Sequence, residues 1–190
     1  MILKVARIGH PVIRRPARDL TRDELRSPDL QRLVDDMEET MHEYEGVGLA
    51  GPQVHLGLRI AVIEVPGSDA RSIEAVPFTV LINPRVTLLG DEKVDAWEGC
   101  LSVPDLRGHV PRWRRLRLEA LDRRGKPYSL EAADFFARVI QHECDHLDGS
   151  VYLDRMRDMR TLCFLAEFER FTRHPDDDEE EEEEEEEEDQ

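Results

Sequence analysis

The stretch QHECDHLDGSVY, Gln141 to Tyr152, carries two histidines four residues apart with a glutamate directly after the first. On a helix that spacing stacks the two side chains, so His142 and His146 can present ring nitrogens to one metal ion. Glu143 stands about 100° round from His142. There it is beside the ion without competing as a ligand, and free to handle the proton of an activated water. The helix is expected to start near Ala132 or Ala133 and to run to Leu147, where Gly149 ends it.

Outward from this helix the chain alternates differently. RIAVIEV (Arg59 to Val65) and PFTVLINPRVTLL (Pro77 to Leu89) are rich in β-branched residues and read as strands broken by Gly and Pro. RLRLEALDRRGKPYSLEA alternates apolar and polar residues around Arg124-Gly125-Lys126, as a hairpin does. Leu30, Leu33, Val34, Met37 and Met41 recur at helical spacing over residues 29 to 45, and that helix should stop at Gly46 to Gly48. A third helix is expected from Met156 to Phe171, and residues 1 to 20 read as an irregular arm. Strands gathered around one late helix predict an α+β domain, not alternating βαβ units. The expected architecture is antiparallel sheets packed around a central helix bearing the H-E-x-x-H motif, with an N-terminal and a C-terminal helix.

The formal charge of -17 is concentrated at one end. Residues 176 to 189 hold 14 acidic side chains and no basic one; without them 29 acidic residues face 26 basic ones, a net of -3. A self-repelling run with nothing apolar to bury is expected to be disordered, so residues 1–175 are read as one domain and 176–190 as a poly-acidic tail. MILKVARIGHPVIRRPARDL has no signal-peptide stretch, and no segment approaches the roughly 20 apolar residues that span a bilayer. Cys100, Cys144 and Cys163 are odd in number and widely spaced, which argues for a reducing compartment. The expectation is a soluble cytoplasmic protein without a membrane or direct DNA partner.

Two histidines need a third ligand. A histidine six residues after His146 would serve, but that position is Tyr152. A glutamate from a later helix is a second route, and Glu167 or Glu169 fits by spacing; the chain would then be a zinc endopeptidase. Cys144 lies about 200° round from His142 and points away, as a packed thiol. Cys100, in WEGCLSVPD, is the remaining soft donor, since a thiolate binds divalent iron or zinc strongly.

GVGLAGPQV (Gly46 to Val54), EGCLSVP (Glu98 to Pro104) and QHECDHLDG (Gln141 to Gly149) together resemble, in order and spacing, the three motifs of the peptide deformylase family. The similarity extends from about Val5 to Met156. It implies that Cys100, His142 and His146 bind the metal, that Glu143 is the general base, and that Gln53 and the backbone N–H of Leu101 hold the formyl oxygen. The family usually has two alanines after the leucine of the first motif, where this chain has Ala50-Gly51-Pro52.

The resemblance implies removal of the formyl group from the initiator methionine of N-formyl-methionyl nascent polypeptides, with release of formate. It implies Fe2+ as the metal; the ligand set alone fits Zn2+ at least as well, and Ni2+ or Co2+ could serve. Phe135 and Val139 share the face of His142, and with Val47 and Gly48 they could wall a pocket for an unbranched methionine side chain. Arg138 on that face is expected to pair with a carboxylate such as Glu98, and Arg107 to be solvated. Some bacterial deformylases dock on the ribosome through a basic C-terminal helix. A transient ribosome association is therefore expected, weakened by the tail competing for Arg155, Arg157 and Arg160.

Overall fold

The computed structural model describes residues 1–68 and 73–172. The acidic run at 176–190, with the end of the expected domain at 175, lies outside the described residues. After an irregular arm over residues 1–20, with one tight helical turn at Pro11–Arg14, come two helices, α1 (Arg22–Arg26) and α2 (Pro28–Glu43). Thr21 and Glu24 form a reciprocal capping box on α1, and Ser27 caps α2 before a proline at its first position. Strands β1 (Gly48–Ala50), β2 (Ile60–Val65), β3 (Val76–Cys100), β4 (Val103–Leu121) and β5 (Pro127–Ala133) follow, then α3 (Asp134–Leu147), β6 (Cys163–Phe164) and α4 (Leu165–Phe171).

The fold is α+β. The strands pair antiparallel in the order β1-β2-β3-β4-β5, with β6 added to β4. Where the sequence suggested a strand ending near Leu89, β3 continues to Cys100. Proline and glycine bend it without ending it: its register with β4 shifts between Ile82 and Arg85, between Leu89 and Lys93, and between Glu98 and Cys100. At the first shift Asn83 adopts φ 51°, and its amide accepts from Leu20 N at 2.8 Å and donates to Leu20 O at 3.0 Å. The last shift opens the β3–β4 hairpin end, where Cys100 pairs with Val103.

Nearly every side of α3 is buried, including Ala137, Ile140 and Leu147 among apolar residues and Gln141, Glu143, Asp145 and His146 among polar ones. It packs against all five strands of the main path. Its apolar side shares one core with Ile63, Leu81, Leu116 and Leu118, while α2 closes a second core through Val34, Met37 and Met41 against Leu49, Ile60 and Ile82. A buried helix can keep this many polar groups only if each finds a partner or a ligand. No helix among the described residues is long and apolar enough to cross a membrane.

The expected helix over Met156 to Phe171 is a correction. Only Leu165–Phe171 is helical; Met159–Thr161 forms one tight turn, and Cys163–Phe164 pairs with Leu106 and Arg107 of β4. The free backbone edge of β4 takes those residues as a strand, satisfying groups that a helix would have satisfied internally. Phe168 of α4 then rests against Trp97, with ring centroids 5.0 Å apart.

Candidate metal centre

Two segments far apart in the chain meet at one point. The hairpin end supplies Cys100, and α3 supplies His142 and His146. Among the described residues this is the group whose side chains can hold a metal ion, with one ligand atom from each lying within 4.8 Å of the others. Cys100 Sγ is 3.2 Å from His146 Nε2, and it accepts from the Ser102 backbone N–H at 3.4 Å. Burial alone would raise the Cys100 thiol; His146 and His142 beside it hold it well below its ordinary range. A thiol held low between two imidazoles is the donor chemistry a divalent cation requires, so the residues fit the ion.

Glu143 lies 3 % exposed beside this group, and its Oε2 has no hydrogen-bond partner. Burial pushes its pKa up to about 6, against the pull of His142 and His146. Gly48 of β1 is packed directly under it: a Cβ there would stand 2.8 Å from the Glu143 carboxyl carbon. The glycine-rich segment is therefore shaped around the glutamate.

Gln53 comes from the short helical turn Gly51–Val54 and is 2 % exposed. Its Oε1 accepts from Ala50 N at 2.8 Å, which leaves Nε2 to donate toward Ser102 Oγ at 3.3 Å and Cys100 Sγ at 3.7 Å. Leu101 occupies the hairpin end beside it and packs into the α2 core. Val47, Phe135 and Val139 gather in one apolar cluster with the α3 core.

A buried ionic network supports the helix side, and the sequence reading found only one edge of it. Glu98 accepts from Arg112 Nε at 2.8 Å and Nη2 at 2.9 Å, from Arg138 Nη1 at 2.7 Å, and from His142 Nδ1 at 2.9 Å. That last bond leaves Nε2 of His142 as its ligand atom, the usual arrangement of a carboxylate behind a metal-binding histidine. Arg112 also donates to Asp145 at 2.5 Å, and Asp145 accepts from Arg155 at 2.7 Å. The expected Arg138–Glu98 pair is thus present. Arg112 and Asp145 were missed, because nothing in PRWRR distinguishes the one buried arginine from its exposed neighbours. Asp145 did carry a signal, since it sits inside the motif helix three residues after His142.

Other expectations divide. Cys144 packs against the α3 core as a thiol that burial pushes up to about 12. Glu167 and Glu169 are exposed on α4 and stand outside the ligating group, so the endopeptidase alternative lacks its third ligand. Arg107 is half-buried, its guanidinium laid over Gly99 and donating to Leu106 O at 3.0 Å. Of the basic residues expected to meet the tail, Arg155 is engaged by Asp145 and Arg160 by Asp158.

The polypeptide deformylase family model matches residues 2–161. The chain belongs to the polypeptide deformylase family. It is 44% identical over 161 residues to peptide deformylase 1 of Nitrosomonas europaea, covering 84% of this chain and 90% of that protein. To peptide deformylase 1 of Bordetella pertussis it is 45% identical over 160 residues, with the same two coverages, 84% and 90%. Among solved structures, the Met-Ala-Ser-bound class I type b peptide deformylase of Acinetobacter baumannii superposes with a TM-score of 0.77 at 33% identity. That match covers 82% of this chain and 99% of the other. The Synechococcus elongatus enzyme in complex with actinonin gives a TM-score of 0.74 at 32% identity, covering 84% and 83%. The family is metal-dependent, and the cysteine and two histidines are where this chain can bind its ion.

Proposed function

We infer that this chain is a metal-dependent hydrolase that removes the N-formyl group from the initiator methionine of newly made polypeptides. The observation that carries the reading is the convergence of Cys100, His142 and His146 within 4.8 Å beside the partnerless carboxylate oxygen of Glu143. When bound, a divalent cation supplies the Lewis acidity that makes water nucleophilic near neutral pH. Fe2+ is the proposed native ion, with Zn2+, Ni2+ or Co2+ able to replace it.

The chain's own groups do the rest. Gln53 Nε2 and the Leu101 backbone N–H bind the formyl oxygen and stabilise the charge that develops on it, without adding a charge of their own. Glu143 takes a proton from the attacking water and returns one to the departing amine nitrogen. The C–N bond breaks, and formate and a free amino terminus leave. Glu98 holds His142 in one tautomer, and Arg112 and Arg138 hold Glu98. Val47 and Gly48 with Phe135 and Val139 are proposed to wall the site for the methionine side chain, an apolar lining of the kind that buries an unbranched thioether. The proposed substrate is made at the ribosome, so the reading puts the chain in the cytoplasm with transient ribosome contact.

The test is metal analysis of anaerobically purified protein paired with formate release from a formyl-Met peptide. One equivalent of iron and stoichiometric formate are expected; a metal-loaded protein that releases no formate would overturn the reading.

A further inference from the structure

We infer that the N-terminal arm is a strap whose backbone N–H groups at Ala6 and Ile8 position the two donors that hold the formyl oxygen, an inference that rests on the function just proposed. Ala6 N–H donates to the carbonyl of Gln53 at 2.7 Å, and Ile8 N–H donates to the carbonyl of Ser102 at 2.8 Å. A spacing of two turns both N–H groups to the same edge of an extended chain. One edge of the arm therefore grips two segments at once. Farther along, Ala17 N–H donates to Leu147 O at 2.8 Å, at the end of α3. Gly149, in the turn after α3, lies so close that a Cβ on it would stand 2.9 Å from Arg14 O. The arm thus touches all three motif segments, and its apolar side chains Ala6 and Ile13 share a small core with Val151.

The grip matters because the two donors have different origins. Gln53 belongs to the turn after β1, and Leu101 to the hairpin end joining β3 to β4. The sheet order sets β2 between β1 and β3, so strand pairing does not join the two segments directly. Linking them are the Gln53 Nε2 bonds to Ser102 Oγ at 3.3 Å and to Cys100 Sγ at 3.7 Å, and the paired backbone bonds from the arm. Ala6, Gln53 and Ser102 are 3 %, 2 % and 0 % exposed, so water cannot replace a lost N–H donor there without the packing opening. Donors that stabilise a developing charge act through fixed placement, and a shift on the order of 1 Å can cost about 100-fold in rate. Ala6 and Ile8 act through Gln53 and Leu101; they are positioning residues and touch no substrate.

The experiment deletes each N–H in the full-length protein, with Ile8→Pro and Ala6→Pro, and with an amide-to-ester replacement at residue 8 that keeps the side chain and the φ preference. Arg7→Ala, whose side chain is exposed between them, is the control. Expected are a kcat for formyl-Met peptide hydrolysis lowered by about 10-fold to 100-fold, KM within about threefold of wild type, and full metal content. Hydrogen exchange should quicken in residues 50–54 and 100–103 together, with α2 unchanged. An ester variant with unchanged kcat overturns the inference, as does a loss of rate that follows metal loss and unfolding in proportion. A metal-loaded wild-type protein that releases no formate defeats the functional reading and this inference with it, while the exchange data still report whether the strap couples the two segments.

Discussion

The guanidinium of Arg138 meets the carboxylate of Glu98 at 2.7 Å in the interior, although Arg138 sits between residues whose side chains build an apolar wall. The helix turns Arg138 to the hairpin, where it also donates to Val110 O at 2.9 Å and Val94 O at 2.7 Å. It therefore joins α3 to both strands of the hairpin that carries Cys100. Arg138→Met removes a donor from two strand carbonyls and from a buried carboxylate. It should destabilise the protein by about 1.5–3 kcal/mol per charged hydrogen bond not replaced. A denaturant double-mutant cycle with Glu98→Gln should give a coupling of about 1 kcal/mol or more. Additive losses would mean that the two groups are neighbours without mutual dependence.

Gly48 and Glu143 are in contact across β1 and α3, and the absence of a side chain at residue 48 gives the carboxylate its place. Gly48→Ala should push Glu143 away from the metal ligands and lower formate release by about 100-fold, with far-UV circular dichroism unchanged. Activity within a few-fold of wild type would show that Glu143 has room to spare.

Gly51 explains the departure of this chain from the family's alanine pair. A Cβ there would stand 2.7 Å from the Leu58 carbonyl and 3.1 Å from Ile60 Cγ2, so the loop after the first motif closes more tightly than an alanine permits. Gly51→Ala, the residue usual in the family, is expected to be overpacked and to cost about 1–3 kcal/mol. At about 2–4 °C per kcal/mol for a chain of this size, the loss is readable as a lowered Tm. An unchanged or raised Tm would show that Leu58 yields easily.

Much of this site was legible because its chemistry is local in sequence. His142, Glu143 and His146 declare themselves by helical spacing, and the strands and the Arg124-Gly125-Lys126 turn follow from alternation. What was not legible depends on long-range placement. Arg112 and Arg114 differ by two residues on one strand, yet the first is buried against Glu98 and Asp145 and the second bonds Asp134 at the surface. Strand alternation puts the two residues on one face; what separates them is place along it, Arg112 lying over Glu98 and Asp145 and Arg114 opposite the register shift between Leu89 and Lys93. The segment after Met156 was misread for a related reason: Met159, Leu162, Cys163 and Ala166 recur at helical spacing, but an open strand edge lay beside them.

Tyr128 provides a check on the β4–β5 side, away from the metal. Its phenol donates to Val80 O at 2.9 Å, and burial, followed by Asp122 and Cys144, pushes its pKa up to about 12. The fold prefers the neutral phenol, so this contribution to stability is complete below about pH 10, the ordinary tyrosine value, and is lost as pH rises through about 12. The difference in ultraviolet titration between wild type and Tyr128→Phe should show one phenol ionising late. A difference centred near pH 10 in the folded protein would mean that the Val80 contact opens readily.

Cys100 and Glu167 separate the two metal readings by experiment as they do by position. Glu98 is an outer partner of His142, and loss of such a partner typically costs about 10-fold to 100-fold in metal affinity. Cys100 is itself placed to ligate, so Cys100→Ser should cost more than that range, whereas Glu167→Gln, on the exposed face of α4, should leave affinity unchanged. Competition with a chelator measures both without reference to activity. Stripping the metal from wild type should abolish formate release, and adding back Fe2+, Ni2+ or Co2+ should restore it. If Glu167→Gln weakened binding as much as Cys100→Ser, α4 would have to fold inward by a route that its β6 pairing and the Trp97–Phe168 contact oppose.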